Sequence, residues 1–449
     1  MTVIIMLAIF VIGYLAIAFE HVLHINKAAI ALLMCGLLWA TYVFGTPSDH
    51  QVHEHLIEVL GDTAEIVVFL IGAMTIVELI DKYGGFNYIT RHIKANNKRG
   101  LMWVLAVMTF FLSAVLDNMT TTIILVMMLR RLLSDQKERW IFAGVIIIAA
   151  NSGGAWSPIG DVTTIMLWMK NNVTSVNLIE YLLLPCIVSV VIPVLIAQSF
   201  VRNSEMEMLN SNDRRVGYEM SKDHPKTSLM IFFAGVSGLL FVPIFKSLTG
   251  LPPYMGILIS LGSLWILTEI IVKKYDLESK MEGRVSQAIK SIDMSTILFF
   301  LGILMSVSAL QQVHLLSDLA EYFDSTIHEP YTISGLIGVM SSIVDNVPLV
   351  AACINMYEVV DPATLSTYAD PQYMNYFIQD GLFWHLLTFC AGVGGSLLII
   401  GSAAGVVAMG IEKIEFGWYM KKFFLLAFAG YLGGMLTIWV ESAFLPSLG

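Results

Sequence analysis

Residues 151–161, which read Asn-Ser-Gly-Gly-Ala-Trp-Ser-Pro-Ile-Gly-Asp, interrupt an apolar run that extends from 140 to 170. Three glycines and one proline in this segment disfavour a helix, so we expect the helix to be broken there. A broken helix exposes backbone carbonyls at the end of its first half and amides at the start of its second half. Such groups are the acceptors and donors that an ion site requires.

The composition around this segment indicates a protein embedded in a membrane. Hydrophobic residues make up 57% of the 449 residues and charged residues only 13%, whereas soluble domains are about 25% charged. Apolar runs near the length that crosses about 30 Å of hydrocarbon recur along the chain. We place ten crossings at 3–20, 27–44, 63–81, 140–170, 178–201, 228–247, 253–273, 292–312, 380–411 and 419–441.

Two further apolar stretches, 101–133 and 331–358, are interrupted at the centre by Asp-Asn, and we interpret each as a re-entrant helical hairpin. With this assignment, only Lys170 and Lys246 of the 25 Lys and Arg residues lie on one face of the membrane. The other face is cytoplasmic by the positive-inside rule. Counting either hairpin as a single crossing destroys this asymmetry. The assignment places both termini outside the cytoplasm, which in a bacterium is the periplasm.

Three sequence blocks recur in the same order and indicate two related halves. Ser113-Ala-Val-Leu-Asp-Asn118 matches Ser341-Ser-Ile-Val-Asp-Asn346 at an offset of 228 residues. Phe69-Leu-Ile-Gly72 matches Phe299-Phe-Leu-Gly302 at an offset of 230, and the glycines of 153–160 match those of 394–401 at an offset of 241.

Each half contains five crossings and one hairpin, and this odd number of crossings inserts the second half upside down. Inverted repeats with broken helices are typical of secondary transporters that work by alternating access. The predicted organisation is a first repeat at 1–201, with its hairpin at 101–133 and broken helix at 140–170; a cytoplasmic linker at 202–227; and a second repeat at 228–449, with its hairpin at 331–358 and broken helix at 380–411.

Asp117 and Asp345 occupy equivalent hairpin tips and are the first candidates for ion binding. An unpaired carboxylate in such apolar surroundings costs several kcal/mol, so each needs a cation or a proton. Oxygen ligands of this kind favour a small alkali cation. Neighbouring candidate ligands with neutral oxygens are Asn118, Asn346, Ser113, Ser341, Thr120 and Thr121, with Ser152 and Ser396 in the glycine-rich segments as further candidates.

Asp161 follows the first break, whereas its counterpart in the second half is Ser402, which cannot ionise. The two half-sites are therefore chemically unequal. A partly dehydrated carboxylate binds a proton readily, and bound sodium competes with that proton for the same oxygens. We expect Na+ to be held by Asp117, Asn118 and Asp161. Exchange of unequal charges would let the membrane potential drive transport.

Other roles remain open for these residues. Asp and Asn commonly cap turns, so the paired Asp-Asn tips can be caps alone. Asp161 can be the N-cap of the helix that follows it, a role that is compatible with ion binding. Glu78, inside the third crossing, is either a transport or pH-sensing group or a residue without ion contact.

Residues 117–121 (Asp-Asn-Met-Thr-Thr), 151–161 and 341–348 (Ser-Ser-Ile-Val-Asp-Asn-Val-Pro) resemble motifs of NhaD-type sodium/proton antiporters. These antiporters belong to the ion transporter superfamily, with arsenite permeases and with dicarboxylate and citrate carriers. The resemblance covers nearly the whole chain. It departs from the dicarboxylate carriers, whose Ser-Asn-Thr signature is only partly present. The resemblance implies ion-site roles for Asp117, Asn118, Asn151, Asp161, Thr163, Ser341, Ser342 and Asn346.

The resemblance also implies a homodimer in the bacterial inner membrane, in which a mobile transport domain makes an elevator-like movement against a scaffold. We therefore predict an all-α polytopic membrane protein that exchanges Na+ or Li+ for H+ electrogenically and serves pH homeostasis. The lipid bilayer, these cations and protons are its expected partners; we expect no enzymatic activity, no cofactor and no nucleic acid. The alternative is a sodium-coupled carboxylate or oxyanion carrier on the same scaffold. A channel is disfavoured because two opposed hairpins in inverted repeats imply alternating gates.

Overall fold

The structure is a computed structural model, which describes residues 2–18, 23, 25–45, 49–86, 97–201, 225–274, 285–343 and 346–444. Within these ranges the chain forms α-helices joined by short connections and 3-10 turns, and contains no β-strand. The first half contributes the helices α1 (Thr2–Ala18), α2 (Lys27–Gly45), α3 (Asp49–Lys82), α4 (Lys98–Leu116), α5 (Asn118–Leu132), α6 (Gln136–Ala155), α7 (Val162–Met169) and α8 (Ser175–Ala197).

The second half repeats this succession of long helices, paired hairpin helices and broken helices. Its helices are α9 (Pro225–Thr249), α10 (Pro253–Lys274), α11 (Val285–Ser291), α12 (Met294–Gln311), α13 (Leu315–Thr326), α14 (Pro330–Ser341), α15 (Asn346–Met356), α16 (Pro371–Met374), α17 (Leu382–Gly394), α18 (Ala403–Glu412), α19 (Phe416–Lys422) and α20 (Phe424–Phe444).

Eight of the described helices are long and apolar enough to cross a bilayer, which confirms an all-α polytopic membrane protein. Seven of them, α2, α3, α8, α9, α10, α12 and α20, coincide with predicted crossings. The eighth is α4, which we predict as one arm of a hairpin. Its length alone does not distinguish an arm from a crossing. The repeat boundaries, the re-entrant hairpins and the inverted insertion of the second half stay predictions.

Between the crossings predicted at 27–44 and 63–81, the sequence predicts an acidic loop at 45–62. This is wrong over the described part, because α3 begins at Asp49 and continues to Lys82. The acidic side chains of Glu54, Glu58 and Asp62 recur every four residues and are exposed, whereas Val59 packs inward. This is the pattern of an amphipathic helix. The acidic residues that suggested a loop form the polar face of this helix.

The first broken helix is interrupted later than its glycines indicate. Helix α6 continues through Gly153 and Gly154 to Ala155, and the break lies at 156–161. A Cβ atom at Gly153 would overlap the carbonyl of Phe110 on α4. The glycine therefore serves close helix packing, and the helix ends only where Pro158 removes a backbone donor.

Matching contacts recur in the two halves at the offsets read from the sequence. Ser113 donates from Oγ to the carbonyl of Ala150 at 2.5 Å, and Ser341 donates from Oγ to the carbonyl of Ala391 at 2.8 Å. Likewise, a Cβ at Gly394 would overlap the carbonyl of Gly338, as one at Gly153 would overlap its neighbour. Each hairpin is thus fixed to the broken helix of its own half in the same way.

Some helices also pack on helices of the other half. α3 packs on α10 while its counterpart α12 packs on α2, and α5 packs on α18 while its counterpart α15 packs on α7. By their contacts the helices form two groups, which meet chiefly where α12 packs on α15. The first group is α1, α2, α3, α9, α10 and α12, and the second group is α4 to α8, α14, α15, α17, α18 and α20.

Candidate functional site

Asp117 forms the junction between the two helices of the first hairpin. It is half-buried, and its φ of 80° is unusual for a residue other than glycine. Its Oδ1 accepts a hydrogen bond from the Thr120 amide at 2.7 Å, and its Oδ2 accepts one from Thr120 Oγ1 at 2.8 Å. The carboxylate therefore caps α5, and its charge is satisfied locally. Strained backbone of this kind costs about 1–3 kcal/mol and clusters at functional sites.

Asp161 is the N-cap of α7 and is only 2% exposed. Its Oδ1 accepts hydrogen bonds from the amide and the hydroxyl of Thr163, at 3.1 and 3.0 Å. Its Oδ2 accepts a hydrogen bond from Asn118 Nδ2 at 2.7 Å. The first hairpin and the first broken helix thus meet at this buried carboxylate.

Asn151 extends the network into the second half of the chain. Its Oδ1 accepts a hydrogen bond from Asn118 Nδ2 at 3.1 Å. Its Nδ2 donates to Ser396 Oγ at 3.0 Å and to Ser402 Oγ at 2.8 Å. Ser402 Oγ also accepts a hydrogen bond from the amide of Gly405, and so caps α18 as Asp161 caps α7. We call Asn118, Asn151, Asp161, Thr163, Ser396 and Ser402 the polar cluster.

Four of the predicted serines lie outside the polar cluster. Ser113 and Ser341 donate to backbone carbonyls of the broken helices. Ser342 donates to Val339 O within its own hairpin at 2.6 Å, and Ser152 Oγ is bonded to Ser189 Oγ on α8 at 2.8 Å. These hydroxyls hold helices together. Thr121 is fully buried, and its hydroxyl has no hydrogen-bond partner among the described residues.

The described part of the second hairpin lies outside the polar cluster. Asn346 begins α15 and is 4% exposed, and its Nδ2 has no hydrogen-bond partner among the described residues. Asp345 lies outside the described residues. Glu78 is on α3, where its Oε1 lies 3.9 Å from Lys82 Nζ, so the structure does not bring it into the polar cluster.

Tyr419 supports the cluster and was not predicted from the sequence. This fully buried residue of α19 donates from its hydroxyl to the carbonyl of Ser396 at 2.8 Å. A buried phenol usually needs such a partner. Its sequence context, a basic segment next to Lys421 and Lys422, gave no signal that the ring points inward.

The polar cluster combines one buried carboxylate with amide and hydroxyl oxygens. Together these oxygens can bind a hard cation. Without a cation, the carboxylate can instead take up a proton. Among the described residues, no group of three or more His, Cys, Asp and Glu side chains can hold a metal ion. Because the donors of the polar cluster are oxygens, they fit a hard cation better than a soft transition metal.

A cavity of about 360 Å³ lies between the two groups of helices. It is lined by residues of α3, α12 and α15 and by the carboxyl end of α7. Met166 on α7 and Ala351 on α15 are among these residues. Each lies five residues beyond Asp161 or Asn346 on its helix, about 7 Å at the usual helical rise. Along α7, the cavity thus comes within two helical turns of Asp161.

Sequence comparisons with known proteins match the chain to one family. A sequence model of the citrate transporter family matches residues 14–378, a range that includes the first broken helix and both hairpins. Sodium/proton antiporter 2 of Arabidopsis thaliana is 44% identical over 432 residues, covering 96% of this chain and 98% of that protein. Sodium/proton antiporter 1 of the same plant is also 44% identical, covering 96% of this chain and 71% of that protein. The Na(+)/H(+) antiporter NhaD of Vibrio cholerae serotype O1 is 28% identical, covering 90% of this chain and 84% of that protein.

Proposed function

The chain belongs to the citrate transporter family, and we propose that it exchanges Na+ or Li+ for H+ across the membrane in which it is embedded. The observation that carries this proposal is the buried carboxylate of Asp161, held between Asn118 and Thr163. The names of its relatives, Sodium/proton antiporter 2 and Na(+)/H(+) antiporter NhaD, support the same exchange.

The protein binds either the cation or a proton at Asp161 in this proposal. In the present arrangement, Asn118 Nδ2 faces the carboxylate, so an amide hydrogen occupies the place that a cation would take. Rotation of the Asn118 amide by half a turn presents Oδ1 instead. Together with the Thr163 hydroxyl and Asn151 Oδ1, it then supplies the oxygens for Na+. Loss of Na+ to solvent lets a proton neutralise the carboxylate.

The position of Asp161 also argues against the alternative, a sodium-coupled carboxylate carrier. An anionic substrate favours the free N-terminus of a half-helix, where amides point at it. The N-terminus of α7 is already capped by a carboxylate, which would repel a second anion. The family description names citrate, so citrate is included in the test below.

Electrogenic exchange is supported by a second carboxylate, that of Asp117, which directly precedes Asn118 of the polar cluster in the chain. Two protons returned for each Na+ would move net charge, and the membrane potential would then contribute about 2.3 kcal/mol per charge per 100 mV. An imposed potential across proteoliposomes should therefore change the exchange rate. Equal rates at all potentials would contradict electrogenic exchange.

An elevator-type movement is supported by the location of the polar cluster, all of whose residues belong to the second group of helices or the breaks between them. Inverted repeats interconvert by exchanging the conformations of their halves. Ser308 lines the cavity, and its counterpart at an offset of 230 residues is Glu78. In the alternate state, Glu78 would line an equivalent cavity at the opposite end. Cysteines at 78 and 308 should therefore show opposite changes in maleimide labelling when Na+ is added.

The remaining finer points rest on the resemblance to NhaD-type antiporters. We propose that the protein is a homodimer in the bacterial inner membrane and that its transport of cations serves pH homeostasis. The mass of the protein in lipid nanodiscs, measured by light scattering, tests the dimer. A single-chain mass under conditions in which exchange is active would contradict it.

The test of the central proposal uses purified protein in proteoliposomes that contain a pH-sensitive dye. NaCl and LiCl should each drive proton movement, whereas KCl, sodium-free citrate and sodium-free succinate should not. A further arm adds citrate together with Na+, to detect coupled uptake. Citrate-dependent sodium flux without proton exchange would replace the antiporter with the carboxylate carrier.

A further inference from the structure

Two lysines join the carboxyl end of α7 to the first group of helices. They are Lys170 and Lys246, which are also the two basic residues that the charge pattern leaves on the extracytoplasmic face. Lys170 follows α7 and forms an ion pair with Asp62 on α3. Lys246, near the end of α9, reaches Trp168 on α7. Both exceptions to the charge pattern thus converge on one helix end.

The contact of Lys246 is the stronger of the two. Its Nζ donates to the carbonyl of Trp168 at 2.5 Å and also lies 4.6 Å from the centre of the Trp168 indole ring. Lys246 is partly buried, and Trp168 is almost fully buried, so water competes weakly for this ammonium group. A cation at the carboxyl end of a helix is also favoured by the helix dipole. The Lys170–Asp62 pair is exposed and therefore weaker.

Helix α7 connects the lysine contacts at its carboxyl end with the polar cluster at its amino end. Asp161 caps its first turn, and its eight residues span about 12 Å at the usual helical rise. At its far end, Asn172 is fixed within the second group, since its carbonyl accepts a hydrogen bond from the Asp380 amide at 2.9 Å. Helix α7 therefore belongs to the second group at both ends, so contacts at its Lys170 end tie the helix that carries Asp161 to the first group.

We propose that Lys246 and Lys170 are positioning residues, which clamp α7 to the first group of helices and hold Asp161 in the state whose cavity is open. This inference rests on the proposed function, because alternating access requires the second group to move relative to the first. Movement would break both lysine contacts. The clamp then sets the balance between two states without touching the transported ion.

The test measures the accessibility of the cavity and needs no transport. Ser308, which lines the cavity, is changed to Cys in a protein whose four native cysteines are replaced, and its labelling by a maleimide is followed in nanodiscs. Lys246→Met removes the charge and keeps the side-chain length. We expect it to slow labelling roughly threefold or more, because the open state becomes less populated.

Three further variants test whether the effect is specific to the lysine contacts. Lys246→Arg should restore the labelling rate, and Lys226→Met, an exposed lysine at the other end of the same helix, should leave it unchanged. The paired change Asp62→Asn with Lys170→Met should act in the same direction with a smaller effect, and it serves if Lys246→Met does not fold. Equal labelling in Lys246→Met, the paired variant and the parent protein would overturn the clamp.

Transport provides a separate readout in the same variants. Lys246→Met should change the Na+ concentration for half-maximal exchange by roughly fivefold. If the parent protein exchanges no Na+ for H+ while Lys246→Met still slows labelling, the clamp stands and the antiporter proposal fails. If exchange is present and neither labelling nor half-saturation responds to Lys246→Met, the clamp fails alone.

Discussion

Asn151 Nδ2 lies 2.8 Å from Ser402 Oγ, although the two residues are 251 positions apart. This hydrogen bond joins the broken helix of the first half to that of the second. The counterpart of Asn151 at the repeat offset is Gly392, and the counterpart of Ser402 is Asp161. The network thus has no mirror copy. A chain with two similar halves builds one polar cluster with a single carboxylate.

Asn151→Ala should weaken both the site and the fold. It removes the hydrogen bonds of Asn151 to Asn118, Ser396 and Ser402. The loss should lower the free energy of unfolding by about 1–3 kcal/mol. Because Asn151 Oδ1 is one of the proposed Na+ ligands, the Na+ concentration for half-maximal exchange should rise roughly tenfold. Thermal unfolding in detergent and exchange kinetics in proteoliposomes measure the two effects. As a stability control, Asn355→Ala removes an amide that donates to Ala351 O of its own helix, and it should cost less than about 1 kcal/mol.

Asp161→Asn should abolish exchange without unfolding the protein. Asparagine is as good an N-cap as aspartate, so α7 keeps its cap and the free energy of unfolding should change by less than about 1 kcal/mol. Dye-based exchange assays and thermal unfolding test the two parts. Asp293→Asn alters an equivalent N-cap on α12, outside the polar cluster, and should leave exchange intact. Exchange by Asp161→Asn at the parent's sodium affinity would reduce Asp161 to a helix cap.

Acid should inhibit exchange by competition. One proton and one Na+ compete for the carboxylate of Asp161. Where this carboxylate is mostly protonated in the absence of Na+, each further drop of one pH unit should raise the Na+ concentration for half-maximal exchange roughly tenfold. The maximal rate at saturating Na+ should change much less. Initial rates at a series of equal internal and external pH values measure this. A pH effect confined to the maximal rate would show that the proton acts elsewhere.

Gly153→Ala and Gly394→Ala should destabilise the protein because each glycine is at a close helix contact. The added Cβ would overlap the carbonyl of Phe110 or of Gly338, and overpacking typically costs about 1–3 kcal/mol. The midpoint of thermal unfolding should fall in both variants. Gly262→Ala is the matched control in α10, where a Cβ meets nothing within 4 Å. It should be neutral or stabilising by up to about 1 kcal/mol. A similar loss in all three variants would refute the packing role.

Glu412→Gln should destabilise the protein more than Asp62→Asn. Glu412 is 1% exposed and accepts a hydrogen bond from Arg139 Nε at 2.8 Å, which joins the end of α18 to the start of α6. Removing that charge should cost about 1–3 kcal/mol, since the guanidinium of Arg139 stays largely buried. Asp62 forms an exposed pair worth less than about 1 kcal/mol. Thermal unfolding of both variants, compared with the parent, decides the order.

The amino-acid sequence by itself determined the membrane-embedded helical class and indicated two related halves. Hydropathy is a local property, and repeated motifs carry their spacing with them, so the matching bonds of Ser113 and Ser341 fall at the offsets that the sequence gives. The inequality of Asp161 and Ser402 was also readable, because it follows from aligning one half on the other.

Only the tertiary structure decided which polar side chains meet. Ser113 and Asn118 are close in sequence, yet Ser113 fastens two helices together while Asn118 binds Asp161. Asn151 reaches Ser402 because helices of both repeats pack at one point, and no local pattern specifies such a distant pairing. The glycines show the same limit. A glycine can break a helix or admit a neighbouring backbone, and only the presence of Phe110 against Gly153 decides between these roles.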